Sequence, residues 1–347
     1  MSNDEGNPNE EVEIAALSQT HLSFRPRHSI VIQCQSGSDH SCFVIILRNM
    51  IEIRALDFDL EKTLGSGQVF HWEKYGNGFV GAIGENALFL EQRGGILKVR
   101  FGETPKPAPG TRALPRIVAR YFALDHPLEE ICASFPRDPI MNAARDFCRG
   151  LRIIRQPKWE CLATFICSSM KQVAHIRQIV RALRQRFGKK KEIRGHEVFS
   201  FPSPSRLART SESELRKCGL GYRARNLLET AKRVASGDAD LDSWSALFDR
   251  QLREQLCELP GVGMKVANCV MLFAYERIAA FPIDVWIERV LRERYFARKR
   301  KGTGQMLADF AAIYFGAHGG YAQQYLFHHA RMTGKRKSQS HSIDQFH

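Results

Sequence analysis

Leu259-Pro260-Gly261-Val262-Gly263-Met264-Lys265-Val266-Ala267-Asn268-Cys269 reads as a tight turn running straight into a helix. Pro260 sets φ at the turn, and the two glycines let the backbone bend sharply while leaving their N–H groups uncovered. Amides at a helix N-terminus attract anions, so the turn can hold a phosphate, and backbone donors do so without reading a base sequence. Lys265 falls on the first turn of the adjoining helix. A non-catalytic turn of this kind uses such a lysine to touch phosphate, but an amine placed there can also attack a sugar carbon. A carboxylate, Asp284, follows nineteen positions later in Pro282-Ile283-Asp284-Val285-Trp286. That run has the pattern of a loop entering a helix, where Asp is a favoured N-cap whatever the protein does.

The charge balance points to a polyanionic partner. The 347 residues hold 51 Lys+Arg against 37 Asp+Glu, a net +14. Residues 1–49 carry net −3, so the excess lies wholly in the remainder. Such a field speeds encounter with nucleic acid, a property shared by ribosomal and RNA-binding proteins. The nine cysteines form no CxxC pair and no tight terminal cluster, which argues against a zinc ribbon, and scattered thiols in odd number suit a reducing compartment. No apolar run reaches membrane-spanning length, and Cys42-Phe43-Val44-Ile45-Ile46-Leu47 is too short and too far from the terminus for a signal peptide. No membrane partner is expected, and the protein is expected to be intracellular and monomeric.

Along the chain, residues 1–49 are acidic and Asn-rich at the start and differ in composition from the remaining residues. They read as a disordered extension, or as a start assigned upstream of a true beginning at Met50. From Ile51 to Phe101 short alternating runs separated by Gly-rich turns predict β-hairpins in series, hence an antiparallel sheet, with helices between Arg116 and Phe135 packed on it. Beyond Asp138 the periodicity is helical almost to the end. Helices are expected at Trp159–Ser169, Val173–Phe187, from Gly219 onward, around the turn, over Asp284–Arg294 and over Gly320–Arg331. The basic runs Lys189-Lys190-Lys191, Arg298-Lys299-Arg300-Lys301 and Lys335-Arg336-Lys337 are placed in loops or a tail. The resulting division is a sheet domain over 50–137, a helical domain over 138–332 and a basic flexible tail over 333–347.

The turn with its lysine, followed by FPIDVWIERVL, resembles the helix-hairpin-helix DNA glycosylases, specifically the 8-oxoguanine DNA glycosylase/AP lyase branch. Three further segments carry the same likeness: Leu64 to Trp72, similar to SGQxFxW; Trp159-Glu160-Cys161-Leu162-Ala163-Thr164-Phe165-Ile166-Cys167-Ser168-Ser169; and Tyr321-Ala322-Gln323-Gln324-Tyr325-Leu326-Phe327. The likeness covers roughly residues 50–332. It implies an α+β fold, a TBP-like antiparallel sheet domain followed by an all-α HhH-GPD domain. The four-cysteine iron–sulfur loop of the related endonuclease III and adenine glycosylase branches is missing.

The resemblance also implies roles. Lys265 is the expected nucleophile and Asp284 the carboxylate that stabilises the charged sugar. Gly67 would present its carbonyl to the N7–H that 8-oxoguanine has and guanine lacks. Cys269 and Phe327 would sandwich the flipped base, Gln323 would read its Watson–Crick edge, and Pro282 would line the same pocket. Gly261 and Gly263 would meet the DNA backbone. Around the opposite base the family has three asparagines after FICSS and two arginines clasping cytosine. Here Met170-Lys171-Gln172 stand in that place, Arg223 matches one arginine, and His175 takes the position of the other. Tyr222 matches the aromatic wedge. Trp286 replaces a phosphate-contacting histidine, and Ala330 an aspartate. The implied partner is damaged double-stranded DNA. No metal or organic cofactor is expected, although a monovalent or divalent cation could sit at the hairpin carbonyls. The competing readings are a glycosylase for alkylated bases, whose usual members lack the lysine, and a non-catalytic hairpin protein, which needs neither Lys265 nor Asp284.

Overall fold

The computed structural model describes residues 24–25, 29–34, 42–47, 50–102, 114–168, 171–296 and 303–343, with side chains described from Met50 to Gly334. Met170 and the basic run 298–301 lie outside the described residues. Strands β1 (Phe24–Arg25), β2 (Ser29–Cys34) and β3 (Cys42–Leu47) lead into β4 (Met50–Arg54). Helix α1 (Leu60–Gly65) precedes the meander β5 (Glu73–Tyr75), β6 (Gly78–Ile83), β7 (Asn86–Arg93) and β8 (Ile96–Phe101). All pair antiparallel in the order β1-β2-β3-β4-β8-β7-β6-β5. Residues 24–47 were expected to be disordered. Their described backbone is instead strand, with β3 pairing β4 through Val44↔Ile53 and Ile46↔Ile51, in line with the apolar content of SIVIQC and CFVIIL.

The sheet buries one face because its strands alternate. Ile51, Ile53, Leu88, Leu90, Leu97 and Val99 are fully buried and meet Leu60 and Leu64 of α1 and Val118 and Tyr121 of α2 (Leu114–Tyr121), together with Phe122. The other face is covered by a feature the helical periodicity hides, a two-stranded hairpin of β9 (Lys190–Ile193) and β10 (His196–Phe199). Ile193 and Val198 of this hairpin pack with Val80, Ala82, Ala87 and Phe89. Lys190 and Lys191, expected in a loop, therefore lie on a strand.

The helical part comprises α3 (Leu128–Ala133), α4 (Pro139–Phe147), α5 (Lys158–Ser168), α6 (Val173–Phe187), α7 (Pro204–Ala208), α8 (Glu212–Leu215), α9 (Arg223–Ser236), α10 (Asp249–Cys257), α11 (Met264–Ala274), α12 (Val285–Val290), α13 (Gly304–Phe315) and α14 (Gly319–Ile343). Residues 160–168 of α5 are buried on all sides, so α5 is the central rod, and it packs on α11 with Phe165 stacked on Phe273 at 5.5 Å between centroids. Within this core Glu160 at the start of α5 is ion-paired with Arg184 and lies 3.3 Å from His71, which burial holds well below the usual histidine range. Helix α14 continues to Ile343, through residues expected as a flexible tail; no proline interrupts it.

Arg152 joins the sheet-side elements to the bundle. It is 1% exposed, and its guanidinium donates to the carbonyls of Ala123 and His126 and to Asp57 Oδ2 (2.5 Å). Arg152→Met should cost about 3 kcal/mol, because the His126 carbonyl and the Asp57 carboxylate lose the guanidinium and the Ala123 carbonyl keeps only the His126 amide, and lower Tm by roughly 5 °C. Thermal unfolding of the variant at wild-type stability would show that these carbonyls find other donors.

Candidate active site

The hairpin is built as its sequence requires. Gly261 has φ +83°, and a Cβ on it would lie 2.8 Å from Asn226 Cβ, so both conformation and space exclude a side chain. Thr230 Oγ1 on α9 donates to the Pro260 carbonyl at 3.0 Å, fixing the turn to the bundle. Gly263 is the N-cap of α11 and has no side chain to take up the first-turn amides. These donors are left for an anion.

Lys265, on the first turn of α11, is half-buried. Its Nζ lies 3.2 Å from Ser168 Oγ and 5.4 Å from the centroid of the Phe165 ring, both on α5. The Ser168 hydroxyl donates to the Phe165 carbonyl at 2.7 Å, so its oxygen accepts from Lys265. The amine is thus held against the central rod by one weak bond and an aromatic face.

Asp284 caps α12. Its Oδ1 accepts from the amides of Trp286 (3.1 Å) and Ile287 (2.9 Å), which fixes the carboxylate while no bond engages Oδ2 among the described residues. Burial pushes its pKa above the ordinary carboxylate value, against the pull of the Ile287 amide and the Lys265 charge. Cys269, one turn beyond Lys265, is buried and feels both charges, and burial pushes its thiol up to about 11. Lys265, Asp284 and Cys269 therefore share one site. Pro282 is buried in the loop that delivers Asp284.

A second group forms around Gly67. Its φ of +89° is a conformation L side chains rarely adopt, and a Cβ there would lie 3.2 Å from Phe327 Cε1. The turn is locked from beneath by Gln68, fully buried. Its Nε2 donates to the Thr63 carbonyl, Ser66 Oγ and the Arg152 carbonyl, and its Oε1 accepts from Ile154 N at 2.7 Å. From α14, Gln324 Nε2 donates to the Ser66 carbonyl (3.2 Å). Gln323 is 4% exposed, and its Oε1 has no hydrogen-bond partner among the described residues, a buried acceptor left open. Phe327 is half-buried beside Gly67.

Sequence reasoning passed over the residue that joins the two groups. Arg331 stands four places after Phe327 on α14, its guanidinium 5.3 Å from the Phe327 centroid and its Nη2 2.5 Å from the Gly65 carbonyl. Its pKa is pushed down to about 10 by burial and the Arg177 charge, against the opposing pull of Asp284. The signal was available, since Gln323, Phe327 and Arg331 recur every four residues on one helix face.

The opposite-base candidates form a separate cluster. Tyr222 is 59% exposed just before α9, with the Arg223 guanidinium 4.4 Å from its ring centroid. Arg223 itself is buried, and its Nη1 donates to the Leu220 carbonyl at 3.2 Å. His175 is exposed on the first turn of α6. Trp286, on α12, lies against Arg289 and lines with Ala330 and His329 a cavity of about 550 Å³, in the place of the histidine and aspartate it lacks.

Two family models match consecutively: the 8-oxoguanine DNA glycosylase N-terminal domain over residues 50–162 and the HhH-GPD superfamily base excision DNA repair protein over 163–314. An N-glycosylase/DNA lyase OGG1 from Arabidopsis thaliana is 31% identical over 290 residues, 80% of this chain and 78% of that protein. The solved structure of MBOgg1 in complex with a low-affinity DNA ligand superposes with a TM-score of 0.80 at 30% identity, covering 85% of this chain and all of that one. The Clostridium acetobutylicum 8-oxoguanine glycosylase/lyase bound to duplex DNA with cytosine opposite 8-oxoguanine gives 0.78 at 28%, covering 84% and 98%. With an α+β architecture, a hairpin lysine beside a helix-capping aspartate, and these likenesses over nearly all its described length, the chain belongs to the 8-oxoguanine DNA glycosylase family of the HhH-GPD superfamily.

Proposed function

We propose that this protein excises 8-oxoguanine from duplex DNA and then cleaves the strand 3′ to the lesion through a lysine Schiff base. The observation that carries this reading is the sharing of one site by an amine, Lys265, and a fixed carboxylate, Asp284, at the head of a phosphate-binding hairpin. A base inside the duplex is out of reach, so the nucleotide must rotate out at a cost of a few kcal/mol. The pocket repays it. Phe327 offers an aromatic face, Cys269 a small soft surface, and the open Gln323 Oε1 an acceptor for the Watson–Crick edge. Gly67's carbonyl accepts the lesion's N7–H; facing guanine's N7 acceptor, it would leave a mismatch worth roughly 1 to 3 kcal/mol.

Chemistry then follows from the amine and the carboxylate. Neutral Lys265 Nζ attacks C1′ as the bond to N9 breaks and its electron pair leaves with the base. Asp284, with Oδ2 open, stabilises the positive charge that builds on the sugar. Loss of a proton from Nζ and opening of the sugar give the Schiff base, and removal of the 2′ proton expels the 3′ phosphate. These steps need no metal. A cation at the hairpin would rest on backbone carbonyls, of which those of Leu259 and Pro260 each already accept one hydrogen bond. The protein's duplex substrate would place it with the genome, in the nucleoid of a bacterium or the nucleus of a eukaryote. The alkylated-base reading leaves Lys265 without a task, and the non-catalytic reading leaves both Lys265 and Asp284 so.

Borohydride trapping on 8-oxoguanine duplexes tests the reading. Lys265→Gln should lose cross-linking and turnover while DNA binding survives, and undiminished cross-linking would assign the nucleophile elsewhere. Asp284→Asn should bind yet lose about 10²-fold in rate, since an amide still caps the helix but carries no charge.

The raised Asp284 pKa sets the sign of a pH effect. The carboxylate is the active form, so excision should fall on acidification already above pH 3.8, the ordinary value, beyond any loss of neutral lysine. A single-turnover profile in which wild type and Asp284→Asn fall in parallel would remove the carboxylate from that limb.

Opposite-base choice should be loose. Each bidentate arginine contact discriminates by about 1 to 3 kcal/mol, and His175 cannot form that fork. Lesions opposite thymine, guanine or adenine should be excised at appreciable rates. A steep preference for cytosine in four duplexes differing only at that base would show that His175 or Met170 supplies the missing contact.

A further inference from the structure

We propose that Arg331 is a specificity-determining and catalytic residue, donating a hydrogen bond to the C8 oxygen of the flipped base and stabilising the negative charge that gathers there as the base leaves. The inference rests on the 8-oxoguanine reading above and adds a reader for the oxygen itself.

Arg331 is 7% exposed, yet among the described residues its only hydrogen bond runs from Nη2 to the Gly65 carbonyl. Its Nε is buried without a partner. Nη1 lies 2.5 Å from the position of a Cβ on Gly67, directly over the turn whose carbonyl takes N7–H. A guanidinium this deep whose Nε has no partner is costly, and anchoring α14 does not require it, since Gln324 already ties the helix to the Ser66 carbonyl. Idle donors around a pocket call for an acceptor on the ligand. In 8-oxoguanine the N7–H donor and the C8=O acceptor sit on adjacent ring atoms. Gly67 and Arg331 offer the complementary pair, acceptor beside donor. Guanine has a C–H at position 8 and gives the guanidinium no oxygen.

The same contact bears on the reaction. When the C1′–N9 bond breaks, its electron pair passes to N9 and is shared through C8 onto O8. Lys265 forms the new bond to C1′, and the proton it sheds neutralises the departing base. A fixed cation at O8 meets charge where it develops and acts before the proton arrives. Arg331 is well placed to remain charged, with its lowered pKa still at about 10.

The test compares two single-turnover rates on cytosine-paired duplexes, excision of 8-oxoguanine and cleavage of a preformed abasic site, which has no base to read. Arg331→Leu should slow excision roughly 10²-fold while changing abasic cleavage less than about threefold. Arg331→Lys should recover part of the loss, and Arg331→Gln, which keeps donors without charge, should fall between. Equal losses on both substrates in folded Gln or Lys variants would reduce Arg331 to a structural tie, and unchanged excision in Arg331→Leu would remove the contact altogether. Failure of the wild-type protein to excise 8-oxoguanine, with abasic cleavage intact, would instead overturn the reading on which the proposal stands.

Discussion

One buried carboxamide holds the arrangement together. Gln68 has no exposed surface, and its side chain is bonded to Thr63, Ser66, Arg152 and Ile154, while its own carbonyl accepts from Gln156 Nε2 at 2.7 Å. These partners come from α1 and its adjoining turn on one side and from the extended segment leading to α5 on the other. An unsatisfied amide at this depth would be expensive, so the network closes only with both segments in place. Closing it fixes the left-handed Gly67, and through the Ser66 and Gly65 carbonyls it fixes α14 as well. The base pocket thus depends on a residue that touches none of the reacting atoms.

The catalytic pair rests on a different element, α5. Ser168 at its last turn receives Lys265, Phe165 lies under the amine, and Glu160 at its first turn is buried with Arg184 and His71. A helix apolar on nearly every face has nowhere to shift, so the nucleophile inherits its rigidity. The cap on Asp284 serves the same end by using Oδ1 for structure and leaving Oδ2 for chemistry.

How much of this was legible in the chain depends on how local the cause is. The hairpin, the cap at Asp284 and the extent of α6 follow from Pro, Gly, Asp and 3.6-residue periodicity within a few positions, and the structure has them where those signals fall. The β9–β10 hairpin escaped because its basic residues face solvent and only Ile193 and Val198 declare an apolar side, toward a sheet a hundred residues upstream. The strands over residues 24–47 escaped because an acidic, Asn-rich start outweighed two short apolar runs. Arg331 escaped for a third reason: an arginine on a long polar helix reads as solvated unless its spacing from Gln323 and Phe327 is weighed, and what it bonds there lies in the turn at Gly65–Gly67, 266 positions earlier for the Gly65 bond.

The spacing of Gln323, Phe327 and Arg331 has an evolutionary corollary. All three lie on one face of a single unbroken helix that is pinned at its start by the turn beneath it. Inserting or deleting one residue between them would rotate everything downstream by about 100° and carry at least one of the three out of the pocket. Point substitution, by contrast, changes one contact and leaves its neighbours in register. Along this helix, lineages can therefore diversify the lesions they accept only by exchanging side chains at fixed length, and related chains should keep the distances between these three positions.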